Sequence, residues 1–349
     1  MKTSNRPRLA LVTDAWSPQV NGVVTTLSNL VRLVRASGID VTVVEPSMFR
    51  SIRLPGYAEV RVAAAPVAVY KTIGALRPDY VHIATEGPLG AIARFWCRRR
   101  SFPFTTSYHT QFDQYAKRVY GIPPAPVTAY MRWFHGTAEK TLVPTPSVAR
   151  ELESTGFQNL VVWSRGVDSA LYHPSARDAD WYDTGNPDAR VLLYVGRVSK
   201  EKSVEDFCRL AQSPGYSCWV VGDGPHRREL AERYGDRVRF VGYKYGEELA
   251  RFYASADVMV FPSRTDTFGN VMTESMATGT PIAAYPVTGP IDVVADGYSG
   301  ALEENLAAAV ERALACDRDQ VREYATRFSW ESCAQTFIES LARPDTDKA

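Results

Sequence analysis

Length and composition place this chain among ordinary globular proteins. It has 349 residues, of which 45% are hydrophobic and 23% are charged. This length favours two domains. The sequence contains no run of about 18 apolar residues, and its N-terminal apolar stretch is too short for a signal peptide. We therefore expect a cytoplasmic protein without a membrane-spanning helix.

The cysteines and histidines argue against two kinds of site. The chain has five of each, and they show neither the spacing of a disulfide framework nor that of a metal site. We therefore expect reduced, mostly buried thiols and no protein-bound metal ion.

The charges are distributed unevenly along the chain. The net charge is +1, but residues 1–165 carry 20 basic and 10 acidic side chains, and residues 166–349 carry 20 and 29. A basic half predicts an anionic partner, either a membrane surface or a nucleic acid. Because the sequence has no nucleic-acid-binding motif, we expect an anionic membrane surface and no nucleic acid.

Residues 1–165 alternate between strand-like and helix-like segments. The strand RLALVTD comes first, and the amphipathic helix VVTTLSNLVRLVRASG follows it and ends at Gly38. The later strands are DVTVVEP, DYVHIATE and FPFTTSYHT. The helix GPLGAIARFWCRRR lies between the last two, and LVPTPSVARELESTG turns from strand to helix. Such alternation predicts an α/β domain whose parallel sheet is covered by helices on both faces.

The alternation returns after a polar, turn-rich stretch. Residues 166–189 form the predicted linker, and residues 190–320 are expected to form a second doubly wound parallel sheet. Residues 321–343 are expected to form a C-terminal helix that packs back on the N-terminal domain, with a frayed end at 344–349. In such sheets ligands bind at the carboxyl ends of the strands, so the loops there should carry the chemistry.

The loop TDAWSPQVNGVV after the first strand places Gly22 directly before a helix. A glycine there lets a ligand approach the helix N-terminus, which is a natural phosphate site. A purely structural turn explains the same residue equally well. The loop is not of the G-x-G-x-x-G type, so it does not indicate a nicotinamide cofactor.

The segment YVGRVSKEKS ends the first strand of the second half. Gly196 makes room there, and Arg197 and Lys202 follow it five residues apart. An arginine fork and a lysine point charge suit a diphosphate, although solvated surface charges would give the same pattern. The later turn VVGDGP either walls a nucleotide base or simply reverses the chain.

The segment TDTFGNVMTESMA follows a buried strand and opens a helix. Gly269, Asn270 and Val271 are expected to form the helix N-terminus, which favours a bound phosphate. Asp266 before it and Glu274 within the helix can accept paired hydrogen bonds from vicinal hydroxyls. Alternatively, Asp266 caps the helix and Glu274 favours its first turns, or the two acids form a glycosidase pair.

Together these motifs, in this order and over most of the chain, resemble the retaining glycosyltransferases of family 4. The similarity is greatest to the branch with lipid-directed mannosyl-, glucosyl- and sulfoquinovosyltransferases. The resemblance implies the GT-B fold, in which two Rossmann-like domains face each other across a deep cleft. It is specific for fold and reaction, and less so for the substrate.

The resemblance also implies a role for each matched residue in the second half. Glu274 matches the acid that binds the ribose hydroxyls of the nucleotide. Asp266 matches a position, more often Glu, that contacts the donor sugar. Arg197 and Lys202 match the diphosphate clamp, which would stabilise the leaving group without a metal ion or other cofactor. The incoming hydroxyl would attack from the leaving-group face and give its proton to the departing phosphate.

Further roles follow from the resemblance for residues that touch the phosphates and the sugar. Gly22 matches the glycine that packs against the diphosphate, and Asn270 and Val271 match the backbone amides that bind a phosphate. His109, in SYHTQFDQY, matches the histidine near the reacting face of the donor sugar.

The segment from Arg94 to Phe134 mixes arginines with aromatic residues. This pattern suits a monotopic membrane surface, although core aromatics beside solvated arginines would look similar. Glu86, at the end of a strand, is a weak candidate for the acceptor pocket. The residues that carry the membrane prediction are Phe95, Trp96, Arg98, Arg99, Arg100, Phe102, Phe104, Lys117, Arg118, Tyr120, Ile122, Tyr130, Trp133 and Phe134.

These observations predict a retaining, metal-independent hexosyltransferase. Its donor would be a UDP-hexose, UDP-glucuronate or GDP-mannose, and its acceptor a lipid such as diacylglycerol. It would lie peripherally on the inner face of the cytoplasmic membrane. The alternatives are a nucleotide-sugar epimerase on the same frame, a transferase with a soluble acceptor, and a nucleotide-binding protein without catalysis.

Overall fold

The computed structural model describes residues 6–19, 21–54, 57–63, 65–111, 121–186 and 188–344. Its internal contacts divide the chain into two units. The first unit comprises Met1–Arg165 and Trp330–Ala349, and the second comprises Gly166–Ser329. The C-terminal segment thus belongs to the unit in which the chain begins.

Within the described residues, the first 165 positions fold into alternating strands and helices. These elements are β1 (Arg8–Val12), α1 (Gly22–Ala36), β2 (Asp40–Val44), β3 (Ser51–Leu54), β4 (Tyr57–Ala63), α2 (Pro66–Leu76), β5 (Tyr80–Ile83), α3 (Pro88–Arg99), β6 (Thr105–Ser107), α4 (Pro124–His135), β7 (Lys140–Val143), α5 (Pro146–Ser154) and β8 (Leu160–Val162).

The remaining elements continue in the same alternation. They are β9 (Arg190–Val195), α6 (Val204–Leu210), β10 (Tyr216–Val221), α7 (Arg227–Tyr234), β11 (Val238–Gly242), α8 (Gly246–Ser255), β12 (Val258–Phe261), α9 (Asn270–Ala277), β13 (Ile282–Ala284), α10 (Pro290–Val293), β14 (Gly300–Leu302), α11 (Leu306–Leu314), α12 (Arg318–Ala325) and α13 (Trp330–Ser340). In the part of the chain that the structure describes, no helix is long and apolar enough to cross a bilayer.

Each unit is built on a six-stranded sheet. The strand order is β2-β1-β5-β6-β7-β8 in the first unit and β11-β10-β9-β12-β13-β14 in the second, and the pairs within both sheets are parallel. The prediction of two doubly wound α/β sheets is therefore confirmed. The antiparallel hairpin of β3 and β4 was not predicted.

Strand β1 shows why the first sheet needs helices on both faces. Its successive side chains point in opposite directions, as they do in any strand. Leu9 and Leu11 pack in a core with residues of α1 and α13, whereas Ala10 and Val12 pack in a core with residues of α2 and α3. A strand that is buried on both faces has a continuous apolar sequence, and the run LALV in this strand is such a sequence.

The sequence predicts one helix over residues 321–343, but the structure divides this segment between two helices, α12 and α13. Helix α12 ends at Ala325 and belongs to the second unit, where the Phe328 carbonyl accepts a hydrogen bond from Val167 N at 3.0 Å. Helix α13 belongs to the first unit, where the Trp163 indole donates to Cys333 O at 2.9 Å. The anchoring of Phe328 in the second unit explains the break.

Candidate active site

The loops after β9 and β10 are held together by glycines. Gly196 and Gly222 have φ values of +150° and +135°, a backbone region that favours glycine. A Cβ on Gly222 would overlap Gly196 O, and one on Gly224 would overlap Val198 O. Val198 N donates to Asp223 O at 2.9 Å. The two loops therefore form one fixed wall at the carboxyl edge of the second sheet.

The two predicted phosphate-binding cations lie on this edge. Arg197 is partly buried, and its carbonyl accepts a hydrogen bond from the Tyr194 hydroxyl at 2.8 Å. Lys202 lies in a short 3₁₀ helix, and its ammonium group donates to Asp266 Oδ1 in an ion pair. The side chains of Lys202 and Asp266 are only 28% and 20% exposed. Lys202 is therefore not a solvated surface charge.

Asp266 does not cap the helix that follows it. The N-cap of α9 is Gly269, which has no side chain to cap the helix. One carboxylate oxygen of Asp266 binds Lys202, and the other, Oδ2, is buried without a hydrogen-bond partner among the described residues. Burial of an unsatisfied polar atom costs about 1–3 kcal/mol. The site therefore contains an acceptor whose hydrogen-bonding capacity is unused.

Helix α9 begins where its sequence predicts. Gly269 has φ +86°, and a Cβ there would approach Met272 and Phe261 to 2.9 Å, so a side chain would be strained and would require these neighbours to shift. Asn270 and Val271 are the first two residues of the helix. The first turn of any α-helix carries N–H groups that the helix ladder does not use, and its dipole favours an anion.

Glu274 lies one turn further along α9. The Tyr253 hydroxyl donates to its Oε2 at 2.9 Å. Burial raises the pKa of Glu274 to about 7, and the hydrogen bond from Tyr253 acts in the opposite direction. This raised pKa distinguishes Glu274 from an ordinary surface glutamate, which is fully ionised at neutral pH.

In the first unit, Gly22 is the first residue of α1. The side chain of Asn21 caps this helix and accepts hydrogen bonds from Val23 N and Val24 N at 3.1 and 3.0 Å. The helix N-terminus that the sequence predicts at Gly22 is present. Gly22 and the second unit's phosphate-binding candidates belong to different units.

His109 follows β6 in the first unit, and its contact with Arg165 was missed by the sequence analysis. Arg165 Nη2 lies 3.2 Å from His109 Nδ1. Burial, and then the charge of Arg165, hold the pKa of His109 well below its usual value, so the imidazole is neutral. Arg165 is buried over the Trp163 ring and donates to Trp163 O at 2.6 Å. Its position in the segment SRG gave no signal of this contact.

Two carboxylates at the carboxyl edge of the first sheet are used internally. Glu86 is buried, and its Oε1 lies 3.2 Å from His135 Nε2. Asp14, which the sequence analysis did not single out, accepts hydrogen bonds from the Thr85 hydroxyl and Leu89 N, both at 3.1 Å. Burial raises the pKa of Asp14. Asp14 connects the loops after β1 and β5, and Glu86 connects the loop after β5 to α4.

The aromatic and basic segment separates into buried and exposed parts. Arg94 is buried, and it donates to the carbonyls of Trp133 and Phe134 at 2.7 and 2.9 Å. Trp96, Phe104 and Phe134 are core residues. Lys117, Arg118 and Tyr120 lie outside the described residues. The exposed part, which we name the aromatic–basic face, consists of Phe95, Arg98, Arg99, Arg100, Ile122, Tyr130, Arg132 and Trp133.

The described part of the chain contains no group of three or more histidine, cysteine, aspartate or glutamate side chains that could hold a metal ion. Its five cysteines are free, and four of them are buried.

Comparisons with known proteins agree with the motifs. Residues 20–171 match the family model described as Glycosyltransferase Family 4, and residues 189–316 match the one described as Glycosyl transferases group 1. The chain is 30% identical over 332 residues to a GDP-mannose-dependent alpha-mannosyltransferase of Corynebacterium glutamicum, a match covering 87% of this chain and 80% of that protein. The chain therefore belongs to glycosyltransferase family 4.

Two further similarities concern a lipid-modifying relative and the fold. An alpha-monoglucosyldiacylglycerol synthase of Streptococcus pneumoniae is 25% identical over 369 residues, which cover 95% of this chain and 83% of that protein. The structure of sucrose-phosphate synthase from Thermosynechococcus elongatus matches with a TM-score of 0.79 and 23% identity, over 96% of this chain and 98% of that one. This match confirms the predicted fold.

The family settles the class of activity. The chain is a glycosyltransferase, as its motifs predict, and the epimerase and the non-catalytic binding protein are not retained as alternatives.

Proposed function

We propose that this protein transfers a hexose from a nucleoside-diphosphate sugar to a lipid acceptor, with retention at the anomeric carbon, at the inner face of the cytoplasmic membrane. The observation that carries the proposal is the cluster at the carboxyl edge of the second sheet. There the Lys202–Asp266 pair and the N-terminus of α9 lie in one unit with the partly buried Glu274.

The donor would bind this cluster through three kinds of contact. Arg197 and Lys202 would bind the diphosphate, together with the amides of the first turn of α9. Glu274 would accept hydrogen bonds from the ribose hydroxyls. Asp266 Oδ2, which is buried without a partner, would accept a hydrogen bond from the donor sugar. A sugar hydroxyl that donates a hydrogen bond to this oxygen would remove the free-energy cost of burying it without a partner.

The chemistry follows from the charge that develops on the leaving nucleoside diphosphate. Lys202, which Asp266 holds in place, and the positive end of α9 would stabilise this charge without reorganisation, and Arg197 would add its positive charge. The acceptor hydroxyl would attack from the leaving-group face and pass its proton to the departing phosphate. The proposal needs neither a covalent nucleophile nor a metal ion, because the cations are side chains.

For Gly22 and His109, which belong to the first unit, the proposed roles rest on the family resemblance. Gly22 would pack against the diphosphate, and His109 would contact the reacting face of the donor sugar. The depressed pKa of His109 suits this role, because a neutral imidazole places no positive charge beside the anomeric carbon. Since Nδ1 accepts from Arg165, Nε2 carries the proton and would donate a hydrogen bond to a sugar hydroxyl.

The lipid acceptor is supported by the aromatic–basic face. Phe95 and Trp133 are 60% and 52% exposed, and the three consecutive arginines that end at Arg100 follow Phe95 closely in the sequence. Amphipathic surfaces with arginines and large apolar side chains bind the interface of anionic bilayers. The name of the Streptococcus pneumoniae relative also points to a diacylglycerol-linked product.

A donor panel tests the proposal. The protein would be incubated with GDP-mannose, UDP-glucose, UDP-galactose and UDP-glucuronate, each with diacylglycerol in anionic vesicles, and the products identified by mass. We expect one hexosyl-diacylglycerol product, and the Corynebacterium relative makes GDP-mannose the best-supported donor. Glu274→Ala should abolish the product. Transfer to water-soluble acceptors only would overturn the lipid assignment, and undiminished transfer by Glu274→Ala would overturn the donor site.

A further inference from the structure

Tyr253, in helix α8, contacts the proposed ribose-binding acid from inside the second unit. Its side chain is fully buried, and its hydroxyl donates to Glu274 Oε2 at 2.9 Å. Its ring packs edge-on against Tyr172, with 5.7 Å between the centroids. A buried tyrosine hydroxyl needs a polar partner, and here that partner is a functional carboxylate and not a backbone carbonyl.

The backbone of Tyr253 is held by a second layer of hydrogen bonds. The hydroxyl of Thr280, itself fully buried, donates to Tyr253 O at 2.6 Å. Arg318 Nη2 donates to Thr280 Oγ1 and to Ala254 O, both at 2.7 Å, and Nη1 donates to Ala256 O at 2.8 Å. One guanidinium therefore fixes the last carbonyls of α8 together with the threonine that supports Tyr253.

The helix that carries Glu274 is anchored in the same way. Arg322, one turn after Arg318 on α12, donates to Ala277 O at the end of α9 at 2.9 Å. A cation at a helix C-terminus is favourable for both hydrogen bonding and the helix dipole. Two arginines of α12 thus fix α8 and α9 relative to each other, and with them the phenol and the carboxylate.

We propose that Tyr253 is a positioning residue for nucleotide binding. Its hydroxyl donates a hydrogen bond to Oε2 and so orients the Glu274 carboxylate. Oε1 is then placed to accept hydrogen bonds from the hydroxyls of the donor ribose. The inference rests on the proposed function, because it takes Glu274 as the ribose-binding acid.

The ionisation of Glu274 gives this role a measurable signature. The ionisable groups that face it or support it are Tyr253 from α8, Tyr172 from the loop before β9, and Arg318 and Arg322 from α12. Burial raises the pKa of Glu274 to about 7, while the bond from Tyr253 lowers it. If the ionised form binds ribose, nucleotide affinity should rise as the pH increases through about 7.

The test is isothermal titration of GDP and UDP into the protein between pH 5.5 and 8.5. Tyr253→Phe removes the donor, so the pKa of Glu274 should rise further. We expect the pH midpoint of binding to move upward by roughly one unit, and the affinity at pH 7 to fall severalfold. Comparison with the wild type at each pH cancels the titration of the nucleotide phosphate.

Tyr182→Phe is the matched control. Its hydroxyl is also buried and donates to Phe252 O, next to Tyr253 in the chain, without contacting Glu274. We expect this variant to lose stability but to keep the wild-type midpoint. An unchanged midpoint in Tyr253→Phe would overturn the positioning role, and so would an equal shift in Tyr182→Phe.

A double-mutant cycle with Glu274→Ala separates this inference from the proposed function. Alanine removes the acceptor of the phenol. If Tyr253 acts through the carboxylate, Tyr253→Phe should have no further effect on nucleotide affinity in the Glu274→Ala background. Additive losses would overturn the positioning role. Undiminished nucleotide binding by Glu274→Ala would instead overturn the assignment of Glu274, and with it the proposed donor site.

Discussion

The two units share one plan, a parallel six-stranded sheet, but build its carboxyl edge differently. In the first unit this edge is lined by side chains that bond to one another: His135 reaches Glu86, and Asp14 accepts from Thr85. In the second unit the edge is largely backbone, with Gly222 packed on Gly196. The absence of side chains at these glycines lets the backbones of the two loops pack directly on each other, whereas the first edge is held by hydrogen bonds between side chains.

The comparison extends to charge. The second unit contains the Lys202–Asp266 pair, which is largely buried and has one oxygen without a partner. On the aromatic–basic face of the first unit, Arg98, Arg99 and Arg100 are exposed, as are Phe95 and Trp133. Largely buried charges suit a small, specific anion, and exposed ones suit an extended anionic surface. The comparison therefore predicts that single substitutions in the second unit have large effects on activity or stability. Substitutions on the aromatic–basic face of the first unit should have small, additive effects on membrane binding.

The largest expected effect concerns the ion pair. Lys202→Ala should lower kcat by more than about 100-fold, because it removes a fixed cation from the leaving group. It should also destabilise the fold by about 1–3 kcal/mol, because Asp266 loses its partner. The double variant with Asp266→Asn should regain stability but not activity. Initial rates and thermal unfolding measure both effects.

Lys200→Ala is the control for the ion pair, since Lys200 is an exposed lysine of the same 3₁₀ helix. Near-normal turnover in Lys202→Ala would remove this lysine from the proposed clamp.

The next effect tests the glycine wall. Gly222→Ala places a Cβ on Gly196 O and requires φ +135° of an alanine, so we expect a loss of roughly 2–4 kcal/mol together with weaker nucleotide binding. Gly215→Ala is the control, because a Cβ there meets nothing within 4 Å. Urea unfolding measures the stability of the two variants, and calorimetry measures their nucleotide binding. Equal stability of both variants would show that the loops are not in the contact described.

The third effect is the pH dependence of stability from Glu274. Its pKa is about 7 in the folded protein and near 4.5 when exposed, so the folded state binds the proton more tightly. The free energy of unfolding should therefore fall as the pH rises from about 4.5 to 7. In Glu274→Gln this contribution is absent, and the variant should gain on the order of 2 kcal/mol relative to the wild type between pH 5 and 8. A pH-independent difference in urea unfolding would contradict the assignment.

The smallest effect concerns the aromatic–basic face. Replacing Arg98 and Arg99 by alanine should weaken cosedimentation with anionic vesicles by a few-fold for each arginine, and added salt should reduce the difference. Arg228→Ala is the control, because its side chain is 92% exposed in the second unit. If wild-type protein binds neutral and anionic vesicles alike, this face is not the docking surface.

The sequence by itself determined the α/β class, the parallel sheets and the family. Apolar strands followed by amphipathic helices, such as RLALV before α1, are local patterns, and local periodicity decides which segments become strands and helices. The starts of α1 and α9 at Gly22 and Asn270 follow for the same reason. The β3–β4 hairpin and the break between α12 and α13 were missed, since each depends on contacts beyond its own segment.

Only the tertiary structure decided the partners within the site. Lys202 and Asp266 are 64 positions apart, and Tyr253 is 21 from Glu274. No sequence spacing joins these pairs, because they meet through neighbouring strands of the sheet and the packing of α8 on α9. The burial of individual side chains is also visible only in the tertiary structure. Burial makes Arg94 a structural residue and raises the pKa of Glu274 to about 7. A residue type can be read from the chain, but its hydration and partners depend on what the fold packs against it.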